Sequence, residues 1–122
     1  MSTFSGTVTG ISIARASNGA GNRKVYEVAC SFTQTFTSGD VAQLVSVDTA
    51  ISNDVKNGKT FTVRGFMPCE PGLDASGSAV YAVGTMTNTS GTLTFGLGGT
   101  TTNAACTGSV TGVSILVVGD ES

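Results

Sequence analysis

The residues from Val25 to Phe36 alternate. Tyr26, Val28, Cys30, Phe32 and Phe36 fall on one side, and Glu27, Ser31, Thr33 and Thr35 on the other. A period of two sends successive side chains to opposite faces of an extended chain, so this run specifies a half-buried strand rather than a helix. The pattern recurs. Thr60 to Gly65 sets Phe61 and Val63 against Thr62 and Arg64, and Gly91 to Leu97 places Leu93, Phe95 and Leu97 in strict period two. In Thr7 to Ile13, Ile11 and Ile13 share a face. Ala79 to Met86 is apolar on both faces and reads as an interior strand, and Gly108 to Val118 ends in the apolar run Ile115 to Val118.

Turn-forming clusters separate these runs at short intervals: Asn18 to Asn22, Ser38 to Asp40, Asn57-Gly58, Pro68 to Gly72, Asp74 to Gly77, Asn88 to Gly91 and Gly96 to Asn103. Strands so spaced, without long helical patterns between them, predict an antiparallel β-sandwich, jelly-roll or small barrel. One stretch differs. Val41, Leu44, Val45, Ile51 and Val55 stand at helical spacing, and Asp48 or Thr49 is placed to cap. The expectation is a strand to about Val47, then one short helix near residues 49–56. A chain of 122 residues makes a single β domain over residues 1–122.

The two ends of the chain carry matching segments. Thr7-Val-Thr-Gly-Ile-Ser-Ile13 and Ser109-Val-Thr-Gly-Val-Ser-Ile115 share Val-Thr-Gly-x-Ser-Ile. They lie too far apart for a solenoid, which would recur every ~20–50 residues. Equivalent places in one sheet, with a Gly at each bulge or close approach, account for the match; so does coincidence among residue types this common.

Composition narrows the chemistry. There is no His and no Trp, charged residues make up 11%, and the net charge is −2. Acid–base and metal chemistry at neutral pH lean on imidazole and clustered carboxylates, so an enzyme is not expected. The six basic residues, Arg15, Arg23, Lys24, Lys56, Lys59 and Arg64, form no stripe that could release counterions from nucleic acid. No apolar run spans a membrane. The N-terminal residues lack a basic n-region and apolar h-region, so synthesis in a cytoplasm is expected. A surface poor in charge loses little solvation when it is covered by a neighbour.

Each candidate for chemistry has a plainer reading. Cys30, Cys69 and Cys106 form no paired zinc spacing and have no His to act as base, so they read as reduced thiols packed as small hydrophobes. Glu70 and Asp74 share a loop without the ligand spacing of a calcium site, which leaves turn chemistry. Asp48 and Asp54 read as helix caps, and Asp120-Glu121 as a solvated tail. Gly96 to Gly99 lacks the Lys-Ser/Thr of a phosphate loop and reads as a turning loop. Tyr26 and Tyr81 lie on strands with core-like patterns, leaving sugar binding unmotivated. No catalytic, cofactor or metal residue is assigned, and the partner interface is open.

The Thr/Gly/Ser-heavy alternating strands, the polar Met1-Ser-Thr-Phe4 start, Ser38-Gly-Asp-Val-Ala-Gln-Leu44, and Gly84-Thr-Met86 with Gly91-Thr-Leu-Thr-Phe-Gly-Leu97 resemble the capsid decoration or cement proteins of tailed bacteriophages. The resemblance implies a β-sandwich, jelly-roll or small barrel forming homodimers or homotrimers on the capsid surface of a virion. The partner implied is the major capsid protein, bound where its subunits meet, with no nucleic acid and no membrane. The alternatives are a tail, fibre or other adhesive structural module, and then a soluble glycan- or small-molecule-binding β domain.

Overall fold

The computed structural model describes residues 2–15, 23–55, 58–99, 106 and 108–122. It is mostly β, with one short helix. In chain order the elements are β1 (Thr3–Ser5), β2 (Thr7–Arg15), β3 (Arg23–Phe32), β4 (Val41–Leu44), α1 (Val47–Val55), β5 (Phe61–Pro68), β6 (Gly72–Leu73), β7 (Ala79–Thr89), β8 (Thr92–Gly98) and β9 (Val110–Glu121). The turn clusters Asn18 to Asn22 and Thr100 to Asn103 lie outside the described residues, as does Lys56.

The strands follow one another in the order β1-β4-β8-β7-β6-β9-β3-β2, with β5 also on β9. The two ends of this order are consecutive in the chain, separated by Gly6 alone. The sheet is therefore curled into a half-barrel whose outer strands meet at that residue. Gly6 donates its N–H to the Gln43 carbonyl at 2.9 Å. A side chain there would overlap the ring of Phe32, which is 1% exposed, so the corner admits only glycine. Every pairing is antiparallel except one: β1 runs parallel to β4, with Thr3 opposite Val41. An all-antiparallel sheet was expected; the parallel contact follows from the chain passing straight from one edge of the order to the other.

The alternating runs supply the core. Tyr26, Val28, Cys30, Phe32 and Phe36 are all 3% exposed or less, and so are Leu93, Phe95 and Leu97. Phe32 meets Phe36 and Phe95 edge-on at centroid distances of 5.5 and 6.2 Å. β3 stops at Phe32, yet Phe36 still reaches the core, its carbonyl accepting the Cys106 N–H. β7 does not bury both faces: Val80 and Ala82 point inward and Tyr81 outward. β7 returns to β8 through Ser90-Gly91, both with positive φ (51° and 87°) between the facing pair Thr89 and Thr92. This two-residue turn of mirror-image type matches the twist of a hairpin.

Three local expectations are corrected. β4 ends at Leu44, and Ser46 (φ 54°) turns the chain into a helix that already begins at Val47. The Ser46 carbonyl accepts the Ala50 N–H, and Val47 donates to Gly91, so the helix start is docked on the β7–β8 turn. Gly96 and Gly98 are buried strand residues of β8, opposite Val83 and Tyr81, rather than parts of a loop. Asp120 and Glu121 belong to β9, which has β3 on one edge and β5 on the other.

The matching segments lie in β2 and β9, the two strands that flank β3. Ile11 faces Val28 on one side, and Ile115 faces the same Val28 on the other. Each departs from regular pairing beside its glycine: β2 between Val8 and Gly10, β9 opposite the Cys30–Ser31 step, where Gly112 is skipped. The match thus falls on two bulged strands that flank β3, two residues out of step: Ile13 faces Tyr26, whereas its counterpart Ile115 faces Val28.

Candidate interaction surfaces

Among the described residues there is no pocket and no group of three or more His, Cys, Asp or Glu side chains placed to hold a metal ion. No helix there is long and apolar enough to cross a membrane. Asp74 organises the turn into β7: its Oδ1 accepts the N–H groups of Ser76 and Ser78, each at 3.0 Å. Glu70 contributes backbone groups, donating to Ser114 Oγ and accepting from the Ser114 N–H. Asp48 Oδ1 accepts the Thr49 N–H in the first turn of α1, while the Asp54 side chain is exposed.

Cys30, Cys69 and Cys106 are thiols rather than disulfides; Cys30 and Cys106 are buried and Cys69 half-buried. Burial pushes the Cys30 thiol up to about 12, and its Sγ donates to the Val113 carbonyl. Burial raises Cys106 as well. Neither thiol is an activated nucleophile.

The expectation of a solvated tail at Asp120-Glu121 fails on their partners. Asp120 accepts from Arg23 Nε at 2.8 Å and from Arg64 Nη1 at 3.1 Å, a cross-strand ladder over β3, β9 and β5. The hydrogen bond from Arg23 is the main cause holding its carboxyl below the usual range, with that from Arg64 next. Glu121 is 3% exposed and faces inward, 2.8 Å from Lys24 Nζ, and accepts from the Tyr26 hydroxyl at 3.5 Å. The hydrogen bond to Glu121 raises Lys24; burial raises Tyr26, with the charge of Glu121 adding to it. The trace in sequence was there: Arg23-Lys24 opens one strand and Asp120-Glu121 closes another, and antiparallel pairing brings such ends together.

A second carboxylate fastens the N-terminal strand. Asp40 accepts the Ser2 N–H on Oδ1 at 2.7 Å, and the Thr37 N–H and hydroxyl on Oδ2 at 2.9 and 2.8 Å. Backbone donation from Thr37, then from Ser2, keeps its carboxyl below the ordinary value. Val41 donates to the Ser2 carbonyl alongside. Neither carboxylate site faces a cleft.

What remains are surfaces. On the outer face of the sheet, Met67 lies opposite Leu116, and Leu73 opposite both Ala79 and Thr111. Tyr81 is two residues along the same strand from Ala79, so it shares that face. Met67, Leu73 and Tyr81 are 50%, 54% and 37% exposed. The charged ladder sits at the other end of β9, roughly 30 Å along the strand from Thr111. The other surface is the edge of β2, whose described pairing is with β3 alone. Ile13 there is 56% exposed, so its expected shared face with Ile11 leads to the rim while Ile11 packs on the core.

Compared with protein families, curated proteins and solved structures, the chain matches none.

Proposed function

We propose that this protein is a non-catalytic structural subunit of a virion, a decoration or cement protein that lies across neighbouring major capsid subunits and stabilises the head. The observation that carries the reading is the outer face formed by Met67, Leu73, Ala79 and Tyr81 with Thr111. Large apolar side chains standing out on one face of the sheet suit burial against another protein, because little solvation is lost where they are covered. The association with phage heads comes from the sequence resemblance, and the small-barrel form of that family is the one the Gly6 corner favours. On this reading the chain is made in the host cytoplasm, acts as an oligomer and needs no cofactor.

Mass spectrometry of purified virions tests it. The expected result is this chain at a copy number fixed by the icosahedral lattice, released by replacing Met67 and Leu73 with Asp. Virions free of the chain would exclude the reading. Its presence only in isolated tails would move it to the fibre or adhesive alternative.

A further inference from the structure

The edge of β2 is built as the interior of a sheet. β2 carries the Val-Thr-Gly-x-Ser-Ile of β9, and β9 is hydrogen-bonded along both sides: to β3 on one, to β5 and β6 on the other. Its bulge at Gly112 does not interrupt this. Next to it, the Ser114 N–H donates to Glu70 and the Ser114 carbonyl accepts from Cys69, both at 3.0 Å. The side of β2 away from β3 has no strand on it among the described residues. β2 is nine residues long, against three for β1 at the other end of the order. From Thr7 to Ala14 it holds no charge and no proline, two of the devices against edge pairing, and its bulges lie on either side of the stretch from Gly10 to Ile13.

The groups it offers can be named. Residues of an antiparallel strand bond alternately to one side and the other. Ser114 bonds away from β3, so Ala29 opposite it bonds toward β2, and so does Glu27 two residues before. On β2, Ser12 opposite Glu27 therefore bonds inward to β3. Its neighbours Ile11 and Ile13 are left with their N–H and C=O groups on the free side.

We propose that this edge pairs antiparallel with the same edge of a second copy, giving a two-fold dimer with a sheet continuous through both chains. A two-fold axis normal to a sheet always makes its central strands antiparallel, and antiparallel is the direction β5 takes on β9. Centred on Ser12, the pairing sets Ile11 opposite Ile13 of the copy and covers the exposed Ile13 side chain. It gives the proposed capsid subunit its self-association and rests on that reading only for the purpose the dimer serves.

Light scattering after size exclusion, with amide hydrogen exchange at low and high concentration, tests the proposal on the full chain. The expected mass is twice 12.2 kDa, falling to the single value on dilution and in Ile13→Lys. The Ile11 and Ile13 amides exchange more slowly as the dimer fills, a readout on unaltered protein that holds even if the variant misfolds. Under mild oxidation Ser12→Cys gives a disulfide-linked dimer while Thr7→Cys does not, since facing Cα atoms at the axis lie about 4.5 Å apart, within disulfide reach. A monomer at every concentration, an oligomer that leaves those two amides unprotected, or no disulfide at position 12 overturns the proposal. Chains that dimerise this way but are absent from virions would overturn only the capsid reading.

Discussion

Replacing Gly6 with alanine tests the corner of this fold directly. The added methyl overlaps the Phe32 ring. That ring is 1% exposed and held edge-on by Phe36 and Phe95, so it has no free side to move toward. Overfilling a packed core costs about 1–3 kcal/mol, and the confinement of Phe32 puts Gly6→Ala in the upper half, about 2–3 kcal/mol. At about 4 °C per kcal/mol for a domain of this size, Tm falls by roughly 8–12 °C. Thermal and urea unfolding followed by circular dichroism measure it. The cause is isolated by Phe32→Leu, which on its own costs about 1–2 kcal/mol. If the overlap is the mechanism, the double variant regains space, and the two changes sum to less than their separate effects by at least about 1 kcal/mol. A Gly6→Ala protein within about 2 °C of the parent, or two strictly additive changes, would refute the corner argument.

Lys24→Met takes the Lys24 ammonium away from the buried Glu121 carboxylate, so it should destabilise the protein more than Lys24→Met combined with Glu121→Leu; urea midpoints decide. Stability against pH should be flat through neutrality, since the chain has no His. Asp40 and Asp120 have lowered folded values, so their contribution is complete above the ordinary carboxyl value of 3.8 and is lost as pH falls below it. Lys24 and Tyr26 are raised, so theirs is complete below their ordinary values of 10.5 and 10.0 and is lost as pH rises past them; loss of stability between pH 6 and 8 would contradict both assignments. A thiol reagent should label Cys69 first in the native protein and reach Cys30 only on unfolding, which peptide mass mapping reads.

The strands were legible in the sequence because burial imposes the period directly. The row from Tyr26 to Phe32, and Leu93 with Phe95 and Leu97, face the core as their alternation requires. α1 was legible in existence but not in its start, because Ser46 enters the helix from a left-handed conformation that no local apolar pattern encodes. Asp120 and Glu121 were misread for a different reason. Two acids after an apolar run look solvated until the strand beside them is known, and Arg23 and Lys24 lie at the far end of the chain. Gly96 and Gly98 were misread because glycine marks turns locally, whereas here Gly96 lies between β4 and β7 and Gly98 pairs with β7. The outer face of Met67, Leu73 and Tyr81 could not be assembled from sequence, since its members become neighbours only through pairings across β9. The matching ends did fall on the two flanks of one strand, though two residues out of step, with Ile13 opposite Tyr26 and Ile115 opposite Val28.

The position of β9 also dictates when the molecule can form. The last strand is the one that β3, β5 and β6 all require. During synthesis, β2 and β3 can pair as soon as they emerge, but β3 keeps one bare side until Val110–Glu121 leaves the ribosome. Contacts this distant in sequence close slowly. Once β5 has emerged, the nascent chain therefore carries the unsatisfied edges of β3 and β5, and the segment Val110–Glu121 is what ends that exposure.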